Sequence, residues 1–257
     1  MHDAPFEIDR KDLIEGLGRG LHVIEAFDDD HSRLTPSGVA ALAGISRTAA
    51  RRYLLSLVHF GYAATDGKYF WLLPRVLRLG QSYLGAARLP RLVQPFIQRI
   101  SMTSGETVNF SVLDGHEVTY LARSNSQRLV RIGFDVGARV AAHLVTPGTV
   151  ILSTFPDDAL DEWIEQHEFT QFTSFAIHDK VTFRDVVLSA RVLDYWITEQ
   201  QLEVDLRGIA VPLKDRKGAC HGALGIVLPV QRMSREQMID TLLPTLREAA
   251  NTLRPLI

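Results

Sequence analysis

The sequence predicts an α+β protein of two domains: a small helical head that ends in a β-hairpin, and a larger body of antiparallel sheet with helices packed on it. Three observations predict it. Helix-length apolar patterns and one short hairpin crowd into the first 73 residues. Further along, strand-like runs come in pairs around tight turns, at Asp114-Gly115 and from Asp215 to Gly218, as antiparallel strands do. The third observation is charge. The 257-residue chain has a formal net charge of −2, yet residues 31–91 carry nine basic side chains and one acidic. Residues 1–30 carry three basic and nine acidic, and residues 92–257 carry 16 basic and 20 acidic. A chain of this length is long for one core and comfortable for two. The basic segment is either the footprint of a polyanion-binding module or a solvated face with no partner.

The head opens with "LGRGLHVIEAFDD", in which Leu17, Leu21, Ile24 and Phe27 recur at helical spacing. Gly16, Gly18 and Gly20 follow no strand, so they make no phosphate-binding loop. Gly16 and Gly18 are expected in the turn leading into the helix. A short second helix starts after Thr35, a suitable N-cap, with Pro36 at the first helical position, where no N–H is required. Val39, Leu42 and Ala43 supply its apolar side, and Gly44 ends it. Ser46 then caps a third helix from Arg47 to His59. Ala50, Tyr53, Leu54, Leu57 and Val58 form one stripe of it, and Arg47, Thr48, Arg51, Arg52, Ser56 and His59 the other. Gly61 closes this helix, and "YAAT" and "KYFWL" flank Asp66-Gly67, a strong hairpin signal.

Helix, short helix, glycine turn, basic helix and hairpin together make a winged helix-turn-helix, placed over residues 1–73. Its basic helix fits a major groove about 12 Å wide, where base edges can be told apart. The hairpin lies along the neighbouring backbone or minor groove. Candidate DNA contacts are Thr35, Ser37, Ser46, Arg47, Thr48, Arg51, Arg52 and Lys68. Hydroxyls and helix N-terminal amides suit phosphates, and arginines suit guanine edges or phosphates. The alternative is a winged head that grips protein.

Residues 74–88 are expected as a linker helix. "PRVLRLGQSYLGAARLPRL" is amphipathic, with Pro74 starting it and Pro90 stopping it. It is either a linker and dimer contact or an ordinary core helix. The body, residues 89–257, begins with a helix in "PFIQRISMTSG". "ETVNFSVLDGHEVTYLAR" reads as two alternating strands, and Val130 to Phe134 as a further strand. "AAHLVTPGTVILSTF" reads as a turn and a buried helix. "DDALDEWIEQH" and "TFRDVVLSARVLDYWITEQQ" read as helices, the second long and amphipathic. Two apolar strands follow in "EVDLRGIAVPLKDRKGACHGALGIVLPV", and Ser234 N-caps a last helix.

Composition narrows the function. Apolar residues make up 46% and charged residues 23%, a globular balance. The single cysteine, Cys220, excludes an internal disulfide and a multi-cysteine zinc site and fits a cytoplasmic setting. Neither a signal peptide nor a membrane-length apolar run is visible. None of the nine histidines forms an i, i+4 pair around a glutamate, so neither metal nor cofactor is expected. An enzyme would need a nucleophile, an acid/base pair or a metal set, and these spacings offer none convincingly.

The chain resembles IclR-type bacterial transcriptional regulators along nearly its whole length. The resemblance is carried by "GLHVIEAF", "GISRTAARRYLLSLVHFGYAATDGKYFWLLPRVLRLG", "GETVNFSVLDGHEVTYLAR", "GFDVGARVAAHLVTPGTVILS" and "GIAVPLKDRKGACHGALGI". The second segment looks most like the PcaR/PobR branch, which regulates aromatic-acid breakdown. The resemblance implies a DNA operator as partner and a GAF-like C-terminal domain holding a small-molecule effector, an aromatic or organic acid. It also implies homodimers, which often pair as dimers of dimers, and a cytoplasmic protein that joins the nucleoid when bound to DNA. The stretch before the pocket helix corresponds to Arg139–His143, followed by Thr146, Pro147 and Gly148. A later loop departs from the family's pattern, with Val204 and Asp205 where proline and glycine are usual. Gly225, Ile226 and Val227 stand where many members carry serines, which leaves fewer hydroxyl donors.

The candidate effector residues are therefore Asn109, Ser111, Tyr120, His143, Thr146, Gly148, Asp205, Gly225 and Val227. Asn109, Ser111 and Leu113 alternate with Val108, Phe110 and Val112, so the polar face borders the pocket or faces solvent. His143 stands beside the pocket as a ligand contact or as a hydrogen-bonded structural residue. His116 and His167 are expected in solvent, and Asp205 and Arg207 are placed to pair with each other.

Overall fold

A computed structural model describes residues 8–9, 11–28, 30–124 and 134–257. The chain divides into two compact units, one ending at Ala86 and one running from Ala87 to Ile257. Among the described residues, no helix is long and apolar enough to cross a membrane.

The first unit holds α1 (Glu15–Glu25), α2 (Pro36–Leu42), α3 (Arg47–His59), β1 (Ala63–Thr65), β2 (Phe70–Leu72), a 3-10 turn (Pro74–Val76) and α4 (Leu77–Ala86). Its core gathers Val23, Leu34, Val39, Ala50, Leu54 and Phe70. Thr35 Oγ1 accepts from the Gly38 N–H at 3.2 Å, and Ser46 Oγ from the Ala49 N–H at 3.2 Å, so both expected N-caps form. Gly44, at φ +63°, turns the chain between α2 and α3 in the left-handed region that glycine enters without strain. Gly16 and Gly18 lie inside α1, not before it. A Cβ at Gly16 would meet the Tyr53 hydroxyl at 3.5 Å, and one at Gly18 would meet nothing. Leu34 bridges Phe70, which adds an edge to the hairpin that periodicity alone does not show.

The second unit holds α5 (Arg88–Ser104), β3 (Val108–Asp114), β4 (Glu117–Arg123), β5 (Arg139–Ala141), α6 (Thr146–Leu152), α7 (Asp157–Gln166), α8 (Lys180–Leu193), β6 (Trp196–Glu199), β7 (Leu206–Lys214), β8 (Cys220–Pro229) and α9 (Arg235–Leu253). The strands form one antiparallel sheet in the order β5-β4-β3-β8-β7-β6. α5 and α9 cover one face, with Val93, Ile97, Phe110, Ile209, Leu224 and Leu246 in that core. α6, α7 and α8 cover the other, over a core that includes Val118, Tyr120, Leu152, Trp163, Phe183 and Val187. Alternation along β3 sends Phe110 to the first core and turns Asn109 and Ser111 the other way, where both are buried. The polar face of β3 is therefore not a solvent face.

Two expectations about elements are corrected, and a third falls largely outside the described residues. Pro90 does not stop the linker helix. The break falls at Ala87, and Pro90 lies in the first turn of α5, where its missing N–H goes unused. The helix also runs through Pro95. The run "TFRDVVLSARVLDYWITEQQ" is not one helix. Asp194, at φ +56°, ends α8, and Trp196–Glu199 becomes the edge strand β6, as aromatic and β-branched side chains favour. The strand expected at Val130–Phe134 lies outside the described residues, save Phe134, which is in no strand.

Candidate DNA interface and effector cavity

α3 buries Ala50 and Leu54 and turns Arg47, Thr48, Arg51 and Arg52 outward. Among the described residues, no hydrogen bond or ion pair engages these three guanidinium groups, so their donors are available to a partner. Ser37 is exposed at the start of α2. Thr35 and Ser46 each spend one lone pair on a cap and keep their O–H donors.

The wing differs from a two-residue Asp-Gly hairpin. Thr65 pairs Phe70, so Asp66 to Tyr69 form a four-residue loop. Asp66 Oδ1 accepts from the backbone N–H groups of Lys68 at 3.0 Å and Tyr69 at 2.7 Å. These bonds pull both residues out of the strand and hold the Asp66 carboxyl below its usual range. The other carboxylate oxygen meets Arg33 at 2.9 Å, and the Arg33 guanidinium lies over the Trp71 ring at 4.4 Å. Arg33 thus braces the wing tip against the loop before α2. Lys68 Nζ lies 5.0 Å from the Tyr69 ring centroid and stays exposed. Arg75 is differently employed, since its guanidinium donates to the Phe60 carbonyl at the end of α3.

In the second unit, a cavity of about 60 Å³ opens between the sheet and the start of α6. One ordered water needs roughly 10–15 Å³ by the same measure, so the space suits a small multi-atom ligand. Phe134, Leu144, Val145, Pro147, Leu202 and Val227 give it apolar walls. Asn109, Tyr120, Thr146, Thr198, Gln200 and Gln201 bring polar groups. The hydroxyls of Thr146 and Thr198 bond to each other. Gly208 makes room for that pair, because a Cβ there would come within 2.5 Å of Thr146 Oγ1. Burial pushes the Tyr120 phenol well above its usual pKa, so it is a neutral donor. Arg207 lines the cavity, but Glu199 holds its guanidinium at 2.7 and 3.0 Å and the Met233 carbonyl takes a further N–H. Among the described residues the lining therefore offers no unpaired cation.

Of the candidates named from sequence, the cavity brings together Asn109, Tyr120, Thr146, Gly225 and Val227. Ser111 is buried outside it. Gly148 packs against Ala142, whose carbonyl oxygen would lie 2.0 Å from a Cβ at that position. Asp205 sits at φ +67° outside the lining, and Arg207 pairs with Glu199 rather than with it. The residues that sequence reasoning missed are Thr198, Gln200 and Gln201, which lie at the tail of the run expected as a helix.

His143 lies elsewhere, beside a separate space of about 170 Å³ with Thr149, Phe183 and Glu199. It belongs to a chain of imidazoles, which places His116 and His167 out of bulk solvent. His143 Nε2 meets the Thr170 carbonyl at 3.0 Å, His143 Nδ1 meets His167 Nε2 at 2.7 Å, and His167 Nδ1 meets His116 Nδ1 at 3.2 Å. A carbonyl only accepts, so His143 carries its proton on Nε2. Its Nδ1 then accepts from His167 Nε2–H, and His167 Nδ1 accepts from His116 Nδ1–H. All three bonds are satisfied with His143 and His167 neutral. Burial lowers the pKa of both, His167 to about 4 with help from its two neighbours. Trp163 stacks on His167 at 4.4 Å and donates Nε1–H to the Gly115 carbonyl at 2.9 Å. Among the described residues, no cluster of histidine, cysteine or carboxylate side chains suits a metal ion. Burial raises the Cys220 thiol, whose Sγ–H donates to the Gly222 carbonyl at 3.3 Å, so it is no activated nucleophile.

Comparison with known proteins gives the family of both units. The profile of the "Bacterial transcriptional regulator IclR C-terminal" family matches residues 81–254, and that of the "IclR helix-turn-helix domain" matches residues 16–67. The "p-hydroxybenzoate hydroxylase transcriptional activator" of Acinetobacter baylyi is 39% identical over 256 residues, covering 98% of this chain and 94% of its own. The "Pca regulon regulatory protein" of Pseudomonas putida is 34% identical over 243 residues, covering 94% of this chain and 84% of its own. Among solved structures, a double mutant of the PobR inducer-binding domain from Acinetobacter, in complex with 3-hydroxybenzoic acid, superposes with a TM-score of 0.63 at 32% identity. That likeness covers 66% of this chain and all of the other.

Proposed function

The chain belongs to the IclR family of bacterial transcriptional regulators, and from that premise we propose that a single-ring aromatic acid, held in the cavity beneath α6, sets its affinity for the operator. It is a ligand-responsive DNA-binding regulator, not an enzyme. The observation that carries the aromatic reading is the cavity itself. Its walls are largely apolar, its one cation among the described residues, Arg207, is already paired with Glu199, Glu203 is exposed, its other polar groups are uncharged, and its volume exceeds what a water or two would fill. Two of the compared proteins are named for hydroxybenzoate chemistry, one a regulator and one a complex.

Arg47, Arg51 and Arg52 are the base-reading and phosphate-binding side chains in this proposal, with Thr48, Ser46, Ser37 and Thr35 on phosphates and Lys68 on the backbone beside the wing. Thr146, Tyr120, Gly225 and Val227 face the effector. The regulator works in the cytoplasm as a homodimer, with two recognition helices about 34 Å apart on a palindromic operator. Large apolar side chains left exposed on α1 (Leu17, Leu21) and α4 (Leu77, Leu79, Tyr83) support a second copy as partner. An effector shifts such an equilibrium only by binding one arrangement better than the other.

The test combines a thermal-shift screen of benzoate, 3- and 4-hydroxybenzoate and protocatechuate with a gel shift on the intergenic DNA beside the gene. An acid present at a hundredfold excess over its Kd stabilises by about 2.7 kcal/mol and changes the gel-shift affinity. Stabilisation by none of the acids contradicts the proposed effector class.

A further inference from the structure

We propose that Asn109 reads a hydroxyl on the effector's ring, so that this one carboxamide distinguishes hydroxylated aromatic acids from the unsubstituted acid. The inference rests on the aromatic-acid reading of the cavity given above.

Asn109 stands on β3, is 3% exposed and lines the cavity. Its Oδ1 is buried without a hydrogen-bond partner, and among the described residues no bond engages its Nδ2 either. Buried amides are rarely left in that state, because desolvation without a compensating bond is costly. The fold shows why no neighbour relieves it. Directly across on β8 is Gly225, which has no side chain to offer. Directly across on β4 is Arg123, whose guanidinium is held by Asp135 at 2.9 Å. The flank opened by Gly225 belongs to the cavity lining, so the missing partner has to come from whatever fills the cavity.

The chemistry of the amide then selects the group. A carboxylate only accepts hydrogen bonds and leaves Oδ1 unmet. A hydroxyl both donates and accepts, so it gives its proton to Oδ1 and takes one from Nδ2. The carboxylate end of the ligand is left to donors elsewhere in the lining, the Tyr120 O–H and the one O–H that the Thr146–Thr198 pair does not use internally. An effector of this shape carries a ring, a carboxylate and a hydroxyl remote from it.

The experiment is calorimetric titration of the full chain with benzoate, 3-hydroxybenzoate, 4-hydroxybenzoate and 4-methoxybenzoate, repeated on Asn109→Leu. The wild type is expected to bind one of the hydroxybenzoates roughly 10- to 100-fold more tightly than benzoate. Asn109→Leu is expected to bind benzoate at least as well and to keep less than a threefold preference for the hydroxylated acid. Should that variant not fold, the methoxy acid decides on the wild type alone. Its ether oxygen still accepts but has no proton to donate to Oδ1 and carries a methyl instead, so its binding is expected to fall to that of benzoate or below. A hydroxyl preference that survives Asn109→Leu, or a methoxy acid bound as tightly as the hydroxy acid, overturns the role of Asn109 and leaves the aromatic-acid reading standing. Binding of none of the four acids overturns both.

Discussion

Acidification from pH 7.5 to 5 is expected to destabilise the second unit through the His143–His167–His116 chain. His167 is held near pKa 4 in the fold, against about 6.5 in an unfolded chain. In that interval the unfolded state binds more protons, so stability falls as pH falls. The contribution is complete above the unfolded value, declines between 6.5 and 4, and is spent below 4. One pKa unit corresponds to 1.36 kcal/mol, and integration from pH 7.5 to 5 gives a loss of about 2 kcal/mol from His167 alone. His143, lowered in the same direction, adds to it. Carboxylates such as Asp161, Asp179 and Asp215 have pKa values lowered from 3.8, so their losses come at lower pH and leave this window clear. Urea unfolding followed by circular dichroism at pH 7.5, 6 and 5 measures the slope. In His167→Gln the slope should flatten, whatever the variant's starting stability. A wild type equally stable at pH 7.5 and 5, or a variant with an unchanged slope, refutes the neutral imidazole chain. Proton NMR of the wild type provides an independent check, since one imidazole should stay unprotonated down to about pH 4.

The remaining predictions concern the two sites. Arg51→Ala should weaken operator binding by about 1–3 kcal/mol, as expected for loss of a bidentate base contact, and leave effector binding unchanged in calorimetry. Unchanged gel-shift affinity at physiological salt would exclude Arg51 from the interface. Lys68→Ala should weaken binding evenly across DNA sequences and reduce the salt-dependence slope by about 1, and a loss confined to one operator sequence contradicts it. Gly208→Ala drives a methyl to within 2.5 Å of Thr146 Oγ1 and forces the Thr146–Thr198 pair apart. It should cost about 1–3 kcal/mol in urea unfolding and weaken effector binding, and a fully stable variant with wild-type affinity would show that the hydroxyl pair is dispensable.

What could be read from the sequence was what neighbours along the chain decide. The caps at Thr35, Ser46 and Ser234 follow from the residue that precedes each helix, and all three form. The two-residue alternation of β3 correctly separated Asn109 and Ser111 from Val108 and Phe110, because pleating is a local property. Errors fell where a distant group overrides a local rule. Pro90 looked like a stop, yet in the first turn of α5 its missing N–H has no consequence. Asp66-Gly67 looked like a two-residue turn, yet the Asp66 side chain binds two amides and draws four residues into the loop.

The functional residues that escaped notice are those assembled across long separations. Arg33 reaches Asp66 over 33 positions, and Thr146 reaches Thr198 over 52. The imidazole chain joins a hairpin tip, the approach to α6 and the end of α7, with no spacing that marks them as partners. Glycine was the clue left unread. Gly208 and Gly225 sit on adjacent strands and open the floor of the cavity, which central strands of a covered sheet would otherwise fill with branched side chains. Two glycines with the same outlook in neighbouring strands mark a place where something other than the chain itself is meant to pack. Asn109, across from one of them and unpaired, marks what kind of group that is.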